Sequence, residues 1–228
     1  MGLSAGELDA IRLSIQVGIW SVAAGLIPAI GLAYLLARFS FRGKAVLDAF
    51  VHLPLVLPPV VTGYLLIIML GRYTPLGSLL QSIGIKFAFN WKGAVIASLV
   101  MSLPLMVRAV RISIEAVDRS LEDAARTLGA GSFRVFITIT LPLSVPGIIS
   151  GGILGFARSL GEFGATVTFV ANIPGETQTL PLALYAYTQT PGAEMMAARL
   201  CAVSITIAVA ALVISEIIAR RAYGRINR

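Results

Sequence analysis

Long intervals of this chain carry no charge, and that constrains its fold more than any other feature. Leu13–Ala37, Leu53–Gly71, Gly93–Val107 and Val135–Ala157 hold no Asp, Glu, Lys or Arg. A helix needs about 20 apolar residues to cross a bilayer. In lipid every backbone polar group must be satisfied within the spanning element, which leaves helices and closed barrels. Runs this long, without the alternation of a barrel strand, predict helices. The third run extends to about residue 114, with Arg108 and Arg111 at its interface, and a fifth apolar run covers about 196–218. The expectation is an all-α membrane protein: a single domain over 1–228 with five transmembrane helices at about 13–37, 53–71, 93–114, 135–157 and 196–218.

Composition agrees. Hydrophobic residues make up 57% of the chain and charged residues 13%, against about 25% charged in soluble domains. The net charge of +7 comes from Arg in short connecting segments rather than from one basic face, so no nucleic-acid partner is expected. One His and one Cys exclude the common metal clusters, and the lone Cys201 allows no intrachain disulfide. No G-x-x-x-x-G-K-[ST] phosphate loop occurs, so ATP must be bound elsewhere. No catalytic constellation is visible and the chain reads as a non-enzyme that binds no cofactor. Residues 1–12 read as a polar lead; Glu7 and Asp9 precede the first apolar run, unlike a signal peptide, so the first span is expected to be retained.

Basic residues orient the spans. Arg38, Arg42 and Lys44 follow the first, Arg108 to Arg134 flank the loop after the third, and Arg220, Arg221, Arg225 and Arg228 follow the fifth. Together these are twelve of the eighteen Lys and Arg. The positive-inside rule then puts the N-terminus outside and the C-terminus and the 115–134 loop in the cytoplasm.

That loop is the one polar island. Ser120 or Asp118 can cap a short helix, with Asp123 three residues beyond Ser120 as in a capping box. Leu121, Ala124, Ala125 and Leu128 share one helical face, and Arg119, Glu122, Asp123 and Arg126 the opposite one. Gly129 falls where a helix ends in the left-handed conformation, and Ser132 can cap the next helix. The pattern predicts helix, turn and second helix at the membrane surface: either an amphipathic helix lying on lipid or a plug for a partner's groove.

The spacing favours the second. Asp123-Ala124-Ala125, Gly129, then Ile139-x-Leu141-Pro142 resembles the EAA signature of binding-protein-dependent ABC-importer permeases, with Asp123 where the signature has Glu. HLPLVLPPVVTGYLL, FARSLGEFGATVTFV and NIPGETQTLPLALY extend the resemblance across much of residues 38–191, toward the molybdate branch of that family. The resemblance implies an ABC-importer permease fold in the bacterial inner membrane. It also implies a homodimer, two cytoplasmic ATPase subunits that bind ATP and Mg, and a periplasmic binding protein delivering molybdate or tungstate. It assigns ATPase docking to a coupling helix carrying Leu121, Glu122, Asp123, Ala124, Ala125, Leu128 and Gly129. Alternatives are a permease for sulfate or another oxyanion, an ATPase-independent channel or secondary carrier, and a scaffold that only recruits a partner.

A second group of candidates concerns the translocation gate. Glu162 is an ionisable group within sparse-charge sequence, a default functional position in a membrane segment. Arg158 precedes it by one helical turn, so the two read either as a gate element that transiently attracts an oxyanion or as a structural ion pair. Gly164 permits close approach or a hinge, and Pro58 and Pro59 interrupt the start of the second span. Residues 159–195 read as turn-rich, with short helices or a re-entrant piece.

Overall fold

The computed structural model describes residues 3–226 except 85, with side-chain surroundings described up to 214 and at 217. The basic tail, read from sequence as a topology signal, lies outside the described side chains. Among the described residues the structure is helical without strands.

Helix α1 runs Ala5–Arg38. Residues 5–12 of the expected polar lead are therefore helical and form the first turns of α1. Ser4 and Glu7 form a capping box: Ser4 Oγ accepts from the Glu7 N–H at 3.3 Å and Glu7 Oε2 from the Ser4 N–H at 2.6 Å. Glu7 is buried because Arg199 pairs with it, Nε to Oε1 at 3.1 Å, tying the start of α1 to the last helix.

Next come α2 (Lys44–Val56) and α3 (Pro59–Leu70), bent by 114° across Leu57-Pro58. Pro59 has no N–H to continue the ladder, and the residue before a proline is pushed out of the helical region. Short α4 (Pro75–Ser82) and long α5 (Trp91–Glu115) follow, then α6 (Arg119–Thr127) and α7 (Ser132–Val135). A π-helical turn, Phe136–Thr140, leads into α8 (Leu141–Leu143) and α9 (Val145–Leu160), with a 67° bend near Ser144. The region that composition left open contains α10 (Gly164–Val170) and α11 (Leu180–Thr188). Last is α12 (Glu194–Ile226). Among the described residues three helices are long and apolar enough to cross a membrane alone, α1, α5 and the Glu194–Ile214 part of α12. The number rises to five if each bent pair counts as one span.

The centre is a bundle of α1, α5 and α9. Buried hydrophobic side chains from α1 and α5, among them Ala29, Ala33, Leu36, Met106, Val107 and Val110, fill one part of it. Gly147, Gly151 and Gly155 lie one turn apart on α9 and face α5. A Cβ on Gly147 would strike Ser113, and one on Gly155 would reach Met106 at 2.8 Å. Lipid tails are as apolar as Leu, so helices in a bilayer associate by close packing of small residues and by interhelical hydrogen bonds. A buried Ser21–Ser159 hydroxyl pair at 2.7 Å supplies one such bond between α1 and α9.

Candidate functional site

Helix α6 begins at Asp118, whose Oδ1 accepts from the Ser120 N–H at 2.9 Å. That backbone hydrogen bond favours the charged form and holds the exposed carboxyl below the usual aspartate range. The helix ends in a Schellman motif. The Gly129 N–H bonds to the Arg126 carbonyl at 2.9 Å and the Ala130 N–H to the Ala125 carbonyl at 3.0 Å. Gly129 has φ +87°, the left-handed region; a Cβ there would meet nothing, so the backbone conformation alone demands glycine. Gly131, not Ser132, occupies the cap position of α7.

The apolar residues of α6 do not turn inward as in the ordinary amphipathic arrangement. Leu121 is 48% exposed, Leu128 is 89% exposed and Ala124 is exposed, with Phe133 of α7 also outward at 78%. Glu122 is the buried residue, at 2%. The sequence pattern grouped Glu122 with Asp123 and Arg126 on a common charged face. The structure corrects this: Glu122 turns inward, while Asp123 stays at the surface and pairs with Arg126 Nη1 at 2.6 Å. Such exposed pairs contribute at most about 1 kcal/mol.

Burying Glu122 is tolerable because it is paired and hydrogen-bonded. Its Oε1 accepts from Arg38 Nε at 3.0 Å and from the Thr140 hydroxyl at 2.7 Å, and Arg38 Nη2 lies 2.9 Å from the same oxygen. Arg38 Nη2 also donates to the Val117 carbonyl at 3.0 Å. Sequence reasoning missed Arg38 and Thr140. Arg38 was counted only as a topology charge, and Thr140 sits between two signature residues. The available signal was a glutamate one position from the signature aspartate, with no room for both on one exposed face.

The gate candidates come together at a second site. Pro58 precedes α3 and Pro59 opens it; Gly164 opens α10. A Cβ on Gly164 would fall 2.7 Å from Pro59 Cβ and 3.3 Å from the Val60 nitrogen, so only glycine permits this approach. Glu162 is buried, and its Oε1 accepts from the Ala165 N–H at 2.9 Å, anchoring the first turn of α10. Its Oε2 lies 2.7 Å from Arg158 Nη1, close enough for ion pairing though not aligned as a hydrogen bond. Arg158 and Glu162 therefore form an ion pair in this conformation. Gly63 of α3 extends the close packing, since a Cβ there would reach the Ala165 carbonyl at 2.7 Å.

Comparison with known proteins agrees with this architecture. Residues 29–226 match the family described as binding-protein-dependent transport system inner membrane component. The molybdenum transport system permease protein ModB of Escherichia coli K12 is 57% identical over 229 residues, covering 100% of both chains. The protein of the same name from Haemophilus influenzae is 53% identical over 97% of each. Among solved structures, a bacterial alginate ABC transporter, in complex with an alginate pentasaccharide-bound periplasmic protein, superposes with a TM-score of 0.75 at 16% identity. The match covers 96% of this chain and 80% of that one, a likeness of fold. The chain is a membrane permease with the all-helical ABC-importer permease fold, and it belongs to the family of binding-protein-dependent transport system inner membrane components.

Proposed function

We propose that this chain is the non-catalytic membrane subunit of an ATP-driven importer for a tetrahedral oxyanion, molybdate or tungstate, and that α6 docks the cytoplasmic ATPase. The observation that carries the docking reading is the exposed apolar stripe of α6. Leu121, Ala124 and Leu128 face outward while the chain's own packing covers Glu122. An apolar stripe at helical spacing, set on a short helix with rigid ends, fits a groove in another protein. The 57% identity over the full length supports molybdate as the cargo. Two copies of the chain pair with two ATPase subunits, which bind ATP and Mg, and a periplasmic protein delivers the anion. The N-terminus lies outside; the C-terminus and α6 lie in the cytoplasm.

In this reading, closure of the ATPase dimer draws the two α6 helices together, and rigid-body motion opens the junction of Pro58, Pro59 and Gly164 on the other side. Arg158 stays engaged by Glu162, which suits a path that must release its cargo: strong binding sites slow exit. The test is reconstitution of the permease with its ATPase and binding protein in liposomes. ATP-dependent molybdate uptake is expected, with a sharp fall on Gly129→Val, because a β-branched residue resists positive φ. Unchanged uptake in that variant, with assembly intact, would remove the docking role of α6. Preferential sulfate transport would overturn the cargo alone.

A further inference from the structure

Helix α6 is joined to the membrane helices by little. Leu121, Ala124 and Leu128 are exposed, the links at its two ends are residues 116–118 and the segment with Gly129 and Gly131, and Glu122 is its one buried residue. Arg38 and Thr140, which hold Glu122, and the Val117 carbonyl that Arg38 also holds lie on three different routes into the central bundle. Arg38 is the last residue of α1. Thr140 ends the π turn that leads through α8 to α9. The Val117 carbonyl, held by the same Arg38, lies two residues beyond the end of α5. These are the helices α1, α5 and α9 that pack on one another.

We propose that Glu122 is a positioning residue, the joint that converts a displacement of α6 into a displacement of α1, α5 and α9 as one body. The proposal rests on the docking role given to α6 above. Its physical basis is stiffness. The desolvated carboxylate is bound through Oε1 by the Arg38 guanidinium and the Thr140 hydroxyl, while Arg126 Nη2 of its own helix lies 3.7 Å from Oε2; leaving the buried Arg38 or Glu122 unpaired is costly. The short links at its two ends would on their own let α6 pivot while the bundle stayed still. The fork of Arg38 matters here: it contacts Glu122 through Nε and Nη2 while Nη2 also holds Val117. A lysine, carrying one compact charge, cannot reproduce that geometry.

The experiment uses the complete transporter in proteoliposomes, with Arg38→Lys, Thr140→Val and Glu122→Gln as conservative changes. Molybdate uptake per ATP hydrolysed is expected to fall at least about fivefold in Arg38→Lys and Glu122→Gln and less in Thr140→Val, a loss in the range of ordinary intersite coupling. The ATPase is expected to copurify with all three. Uptake per ATP unchanged in all three, or loss of the ATPase from each, would overturn the proposal; the second result would make the cluster a builder of the docking face alone.

A second readout needs no cargo. Spin labels at Phe39→Cys and Thr127→Cys, both exposed, in a Cys201→Ser background, report the distance between α1 and α6. A narrow distribution that nucleotide leaves unchanged is expected, broadened by Glu122→Gln. A distance that already shifts with nucleotide in the otherwise native protein would overturn the joint. If no ATPase assembles with the chain at all, the docking reading fails, and the effect of Glu122→Gln on the nucleotide-free distribution still decides whether the joint is rigid: no broadening overturns it.

Discussion

Two buried glutamates, Glu122 and Glu162, are each held by an arginine, yet they organise the chain in opposite ways. Glu162 works locally. Its partner Arg158 is one helical turn away and its other oxygen anchors the first turn of α10. Glu122 works over distance, with Arg38 separated from it by 84 residues and Thr140 by 18. One carboxylate shapes a turn; the other fastens elements that the sequence keeps apart. Solvent access differs as well. The Arg158 side chain is a quarter exposed and can be rehydrated if its partner is lost, whereas the Arg38 side chain is 7% exposed. A buried ion pair adds modest net stability but becomes costly when broken from one side.

Breaking each pair is the sharpest way to separate the two. Glu122→Ala should destabilise the purified permease by about 3–5 kcal/mol, since it strands a buried guanidinium. Glu162→Ala should cost only about 0.5–2 kcal/mol, the usual loss for a helix-capping group. Thermal unfolding in one detergent would compare them, and equal losses would mean that distance in sequence is irrelevant to their roles. A smaller effect should follow at the junction beside Glu162. Gly164→Val inserts atoms where Pro59 already sits, which should lower stability by about 1–3 kcal/mol through overpacking. Gly161→Val, at a position with open space around it, is the matched comparison in the same unfolding assay; a greater loss there would contradict the packing argument.

The smallest effect concerns the cap on the helix that carries Glu122. Asp118 has its folded-state carboxyl held below the ordinary aspartate value. A depressed folded value means that the contribution is full above the unfolded pKa of about 3.9 and is lost as pH falls through the folded one. Exchange protection of the α6 amides should therefore decline below about pH 4, and Asp118→Asn should flatten that decline. A protection profile identical in the two proteins would show that the cap is not what titrates.

How much of this was legible in the sequence follows from the range of each interaction. Uncharged runs set the spanning helices because the bilayer imposes a length on them. The left-handed Gly129 could be read in place because a helix terminus is a local event. The polarity of α6 could not: apolar residues at helical spacing ordinarily turn inward, and here Glu122 turns inward to Arg38 and Thr140 while Leu121, Ala124 and Leu128 stay exposed. Nothing near Glu122 in sequence announces Arg38. The Ser4-x-x-Glu7 box, by contrast, was available as a local signal and shows that the polar start is helix. Residues 159–195 stayed open because α10 and α11 are too short for periodicity to distinguish. The meeting of Pro59 with Gly164 is likewise a tertiary fact, although both residues were singled out for their backbone properties.

The glycine stripe of α9 has an entropic consequence. At Gly147, Gly151 and Gly155 the contact with α5 is made by backbone, with no rotamers on the α9 side to freeze. Ordering a long side chain can cost about 1.5–2 kcal/mol, while glycine has none to order. At these three positions the α5–α9 seam therefore forms without that loss, with no rotamers on the α9 side to sample when warmed or pulled. The breaks near Pro58 and Ser144, where the helices already bend, lie outside that stripe.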